Sequence, residues 1–185
     1  MILKRLRSET AQQHSAMETQ LPLLDPTLTH DAYVQLVARF WGYYAPLEAQ
    51  LEHVYPIDFE GKERLNTPLL EDDLRSMGQS LALLPHCTNL PALTDLPQVL
   101  GCLYVIEGAT LGGQLISRQL QTTLGLTCSS GAAFFSGYGA LTGTRWRAFC
   151  TFLTETAAPL GQDRTIIASA NATFETLGLW LKETP

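Results

Sequence analysis

The stretch Y-V-I-E-G-A-T-L-G-G-Q-L-I-S-R-Q-L-Q, running from Tyr104 to Gln121, decides the fold. Leu103, Ile106, Leu111, Leu115 and Ile116 recur at roughly helical spacing, with Glu107, Gln114, Arg118 and Gln121 as the polar remainder. That periodicity predicts a helix. Gly108, Gly112 and Gly113 oppose it, because each glycine inside a helix costs about 1 kcal/mol relative to alanine. Three such costs are a large share of an ordinary domain's net stability of roughly 5–15 kcal/mol. Two gains could offset them. Gly108-x-x-x-Gly112 lets another helix backbone approach closely, and missing side chains also admit a flat ligand directly against the backbone. The stretch alone leaves both readings open.

Before it, Leu3, Leu6, Thr10, His14, Met17 and Leu21 share one face of a single predicted helix over about Leu3 to Leu21, which would point His14 inward. Pro22 stops that helix. A second opens at Thr29, a plausible N-cap with Asp31 in its first turn, and buries Tyr33, Leu36, Val37, Phe40, Tyr44, Leu47 and Leu51. Pro46 is expected to kink it. A third starts at the cap-like pair Thr67-Pro68 and runs through Leu74, Met77 and Leu81 to Pro85. Residues 85 to 97 form a proline-rich loop.

The central helix then runs from about Pro97 to Leu124, where Gly125 closes it. Residues 126 to 143 are rich in Gly, Ser and Thr and show no helical stripe. A fifth helix, about Thr144 to Ala157, turns Trp146, Phe149, Phe152 and Leu153 inward before Pro159 and Gly161 break it. The last, Asp163 to Lys182, uses Ile166, Ile167, Ala170, Phe174, Leu177 and Leu181. No segment alternates as a strand should, so no sheet is expected. The expectation is an all-α fold, one domain over residues 1–185.

Composition narrows the function. With 185 residues and 45% hydrophobic content the chain can bury a proper core. It holds no run of about 18 consecutive apolar residues, so no membrane span is expected, and its amphipathic N-terminus lacks the apolar core of a signal peptide. Cys87, Cys102, Cys128 and Cys150 form no C-x-x-C pair and read as reduced thiols of a cytoplasmic protein. A net charge of -6 argues against nucleic-acid binding.

Chemistry has few carriers. His14 is either a hydrogen-bonded core residue or a ligand. Glu18, at i+4, could orient its imidazole directly or through water, and Arg7, two turns back, could pair with an anion. Each of these two could equally be a solvated helix edge. His30, His53 and His86 carry little, and the absence of H-x-x-x-H and E-x-x-H patterns gives zinc or di-iron sites no support. No P-loop, dinucleotide fingerprint or G-x-S-x-G occurs. Arg145 and Arg147 flank Trp146, as a surface pair around an indole or as an anion clamp beside an aromatic wall.

Together these residues resemble a family. L-R-S-E-T-A-Q-Q-H-S-A-M-E, with Arg7, His14 and Glu18, is similar to the first helix of heme oxygenases. Y-V-I-E-G-A-T-L-G-G is similar to their glycine-bearing distal helix in its bacterial form. Tyr44 with Ala45-Pro46-Leu47-Glu48, Trp146-Arg147 and Ala172-Thr173-Phe174 fall where members have comparable residues, so the resemblance covers nearly the whole chain. It is closest in look to the heme oxygenases that supply biliverdin to bacteriophytochromes.

The resemblance implies a helical bundle with haem b sandwiched between the N-terminal helix and the glycine-kinked distal helix. His14 would ligate the haem iron through a neutral imidazole, and Gly108, Gly112 and Gly113 would let the distal helix sit almost on the porphyrin. Arg7 and Arg147, and more weakly Tyr104, would pair with propionates, while Phe174 would wall the pocket. The reaction would take haem, O2 and electrons from an external ferredoxin- or flavoprotein-type reductase to biliverdin, Fe(II) and CO. Haem is then both cofactor and substrate, and the protein binds it and steers oxygen. One departure is Ala109, where many bacterial relatives carry serine; it cannot organise distal water. That favours the alternative of a non-catalytic haem carrier or sensor on the same fold, whereas the full glycine set favours the enzyme.

Overall fold

A computed structural model describes residues 1–54, 64 and 66–182 of the chain, and these form α-helices and short 3-10 turns. The first two helices, α1 (Ile2–Glu9) and α2 (Ala11–Gln20), replace the single helix expected there. Thr10 divides them: its backbone leaves helical dihedrals at φ -111°, ψ 0°, while its hydroxyl donates back to the Leu6 carbonyl at 2.8 Å. The break resets the face. Leu6 and Thr10 are buried, yet His14, one turn on, is exposed rather than pointing inward.

Helix α3 (His30–Val54) begins after Thr29, whose hydroxyl accepts from the Ala32 amide, and Pro46 lies within its length. Helix α4 (Thr67–Ser76) is shorter than expected. Gly78, at φ 75°, turns the chain away, so Leu81 lies beyond the helix in the following loop. Its start differs too: the buried Glu48 of α3 accepts the amides of Asn66 (2.7 Å) and Thr67 (2.9 Å), doing from a distant helix what a local cap would do.

Helix α5 (Leu96–Leu124) is the axis of the molecule. Asp95 caps it by accepting the Gln98 amide at 3.0 Å, and Gly125 closes it at φ 70°. Its length and a mean hydropathy of 1.5 would suffice for crossing a membrane, a property no consecutive apolar run revealed, and half of that window is buried inside the bundle.

Three more helices surround α5. The short α6 (Ala133–Ser136) falls where no helix was expected, because its cap comes from another element: Asp73 of α4 accepts the amides of Ala133 (2.7 Å) and Phe134 (2.9 Å). A 3-10 turn over Gly139–Leu141 leads into α7 (Thr142–Leu160), which continues through Pro159 in its last turn until Gly161 closes it at φ 63°. Helix α8 (Asp163–Lys182) matches its expected bounds. It packs most extensively on α5, where Gly101 lets the Ile166 backbone carbonyl into the space of a side chain and Ser169 donates to the Gln98 carbonyl at 2.6 Å. One apolar cluster gathers residues of α1, α3, α4, α5, α7 and α8.

Candidate functional site

The glycines of α5 have different surroundings. A side chain on Gly113 would collide with the Phe135 backbone carbonyl of α6, so this glycine serves close packing. A Cβ on Gly108 would make ordinary contact with the Trp146 ring at 3.7 Å, whereas one on Gly112 would meet nothing within 4 Å. Ala109 and Gly112 are exposed and Gly108 is half-buried, so a bare strip of helix backbone faces outward between flanking aromatic and leucine side chains.

The strip begins where the N-terminal helices meet α5. Tyr104, half-buried one turn before Gly108, lies near the side chain of Thr10 and packs its ring 5.8 Å from that of Trp146. Burial raises the Tyr104 pKa, against which Thr10 and the nearby positive Arg7 act. From this junction His14 lies one turn along α2, and Gly108 and Gly112 lie one and two turns along α5.

His14 is exposed to 54% and packs edge-on against Phe174 of α8, with ring centroids 5.8 Å apart at 86°. Its Nδ1 is 3.5 Å from the Glu18 carboxylate, at the outer edge of hydrogen bonding. That leaves Nε2 as the nitrogen not directed at Glu18. Arg7 and Arg147 are exposed, Arg147 donating to the Thr144 hydroxyl at 3.1 Å. Arg145 points elsewhere, its guanidinium 5.1 Å from the centre of the Tyr138 ring.

On the side of α5 away from Gly112 lies a buried polar group that sequence reasoning passed over. Glu107, only 3% exposed, accepts from Arg64 at 2.6 Å and from the Tyr138 hydroxyl at 3.2 Å. In the sequence Glu107 reads only as part of the polar remainder of this helix, and its partners lie 43 and 31 residues away, so periodicity could not reveal the burial. A shallow depression lined by Ser15, Ala16, Thr19, Gln20 and Lys182 runs along a different part of α2 and does not include His14.

These features define an all-helical protein with a bare length of helix backbone on α5 and an exposed histidine, His14, on α2. The chain belongs to the heme oxygenase family, whose family model matches residues 1–183. It is 36% identical over 94 residues to a heme oxygenase of Xanthomonas campestris pv. campestris (strain 8004). That match spans 49% of this chain and 54% of the relative, about half of either. Among solved structures, the heme oxygenase of Leptospira interrogans superposes with a TM-score of 0.79 at 17% identity, covering 99% of both chains. The Neisseria meningitidis heme oxygenase, solved with NO and CO bound, gives 0.74 at 20% identity, covering 98% of this chain and 90% of its own. These two likenesses establish the fold.

Proposed function

We propose that this chain is a heme oxygenase in activity: it takes haem, O2 and external electrons to biliverdin, Fe(II) and CO. The observation that carries the reading is the open space over Gly112 on α5, in a chain of this family. The donor set fits haem as well. Among the described residues no group of three or more His, Cys, Asp or Glu gathers to hold a metal ion, so a metal bound at His14 must bring its other ligands with it, as porphyrin does.

Haem, when bound, supplies both the iron that activates oxygen and the ring that is oxidised. The chain's residues bind and orient it. His14 would hold the iron through Nε2, the nitrogen not directed at Glu18, and Glu18 would orient the ring from its other side. Gly108 and Gly112 would leave the α5 backbone bare where haem rests against it. Gly113 fixes the same backbone against α6. Arg7 and Arg147 provide cations for the propionates, Tyr104 a hydroxyl at that end, and Phe174 a wall beside His14. Ala109 offers no proton donor, which leaves proton delivery on this face to backbone groups and water, and is the feature favouring a carrier or sensor.

The chain carries no flavin or nicotinamide motif, so a ferredoxin- or flavoprotein-type reductase supplies electrons, in the cytoplasm, and a bacteriophytochrome is a fitting consumer of the product. Hemin titration tests the binding half. The native protein should give a Soret complex, while Gly112→Leu should weaken hemin binding at least about tenfold, since a buried side chain displaces well-packed ligand contact. Equal affinity of the two proteins would sink the placement on α5.

A further inference from the structure

Gly108, Gly112 and Gly113 lie within α5, and each lacks the side chain that would otherwise restrain the backbone there. If a flat ligand rests on that backbone, some other contact must fix the height at which it rests. The buried group behind the helix is placed to do so. Glu107 immediately precedes Gly108, and both of its carboxylate oxygens are engaged: Oε2 with Arg64 at 2.6 Å, Oε1 with the Tyr138 hydroxyl at 3.2 Å. Arg145 of α7 lies over the Tyr138 ring at 5.1 Å, joining the base of α7 to the same cluster.

The second anchor is Gln114. Its side-chain amide donates to the Gly139 carbonyl at 2.8 Å. Residues 107 and 114 are about two turns apart on one side of the helix, so the Tyr138–Gly139 segment is tied to α5 on either side of the stretch from Gly108 to Gly113. Gly112 projects about 140° around the helix from Glu107. The clamp therefore grips α5 from behind the bare strip without entering it. A buried ion pair seldom adds net stability over apolar packing.

Resting on the ligand placement proposed above, we propose that Glu107 is a positioning residue: with Arg64 and Tyr138 it sets the position of the Gly108–Gly113 backbone over the haem, and so selects which meso edge of the ring is oxidised. It acts through the backbone and touches neither haem nor oxygen.

Glu107→Gln and Tyr138→Phe, each compared with the native chain, test this. In hemin-free protein, Glu107→Gln should speed amide hydrogen exchange at residues 108–113 about tenfold or more while α3 and α8 keep native protection. With hemin, the ferric Soret maximum should shift, kcat should fall about ten- to a hundredfold, as small misplacements do, with KM held within about twofold. The biliverdin isomers should become a broader mixture, and Tyr138→Phe should fall between the two. Should Glu107→Gln not fold, the pair Arg64→Met/Glu107→Leu fills the site with apolar volume and carries the same readouts.

Lost exchange protection with a native isomer distribution would make Glu107 a stability residue and overturn the proposal, as would native values throughout. If the native chain binds hemin without cleaving it, the enzymatic reading fails separately, and exchange together with the Soret shift still decides the positioning role.

Discussion

The backbone carbonyl of Phe135 occupies the space that a side chain on Gly113 would need, while the same point above Gly112, one residue earlier, is open. The paired glycines thus answer different requirements. Close helix packing explains one, and a bare surface explains the other.

Opposite responses to one substitution follow. Gly113→Ala forces α6 away from α5 and should cost about 1–3 kcal/mol, the usual penalty for overpacking. Gly112→Ala meets nothing within 4 Å and should stabilise the hemin-free protein by about 0.4–1 kcal/mol through reduced freedom of the unfolded chain. Denaturant titration of both variants checks the pair; equal destabilisation by both would contradict the assignment.

His14 should behave as a residue kept for something other than folding. Its side chain is 54% exposed, and its contacts with Glu18 and Phe174 are peripheral, so His14→Ala should change hemin-free stability by no more than about 0.5 kcal/mol. The hemin complex of the same variant should lose the spectrum of an axial imidazole. A large loss of stability with unaltered ligation would return His14 to a structural role.

Asp73 of α4 accepts hydrogen bonds from the Ala133 and Phe134 amides of α6 at 2.7 and 2.9 Å, and α6 in turn carries the Phe135 carbonyl against Gly113. Asp73→Ala should therefore cost about 1–2 kcal/mol, as the loss of a cap does. Exchange should rise first at residues 133–136 and then at Gly113. Native protection at both places would show that α6 is held by its apolar contacts alone.

Glu48 gives a prediction in pH. Burial pushes its carboxyl above the ordinary glutamate value, opposed by the bonds from Thr67 and Asn66. The native state then holds this proton more tightly than the unfolded chain does. The corresponding stability is complete below the unfolded value near 4.3 and is lost as pH rises through the folded one. Glu48→Gln cannot titrate, so the stability of the native protein minus that of the variant should fall with rising pH from about 4.3 upward. Melting curves at matched pH read the difference, and a rising difference would mean the bonds to Asn66 and Thr67 outweigh burial.

Helix identity was legible in the sequence wherever one apolar stripe met one helix. The bounds of α8 and the closure of α5 at Gly125 came from local signals, namely periodicity and a glycine able to adopt positive φ. What escaped was set across the fold. Thr10 breaks a stripe that continues in letters but not in space, and the exposed His14 follows from that break. Helix α6 takes its cap from Asp73, 60 residues away. The two motifs that mark the family, around His14 and Gly108, are local strings, whereas the Glu107 cluster needs partners that only the tertiary structure brings together.

A single spectrum shows whether the haem ring is cleaved. Purified protein with one equivalent of hemin is followed in air after addition of a reductant system, with catalase present to remove free peroxide. The Soret band should disappear as the red biliverdin band grows and iron passes to a ferrous chelator. A Soret complex that persists through repeated reduction would contradict ring cleavage and identify the chain as a haem carrier or sensor built on a heme oxygenase fold.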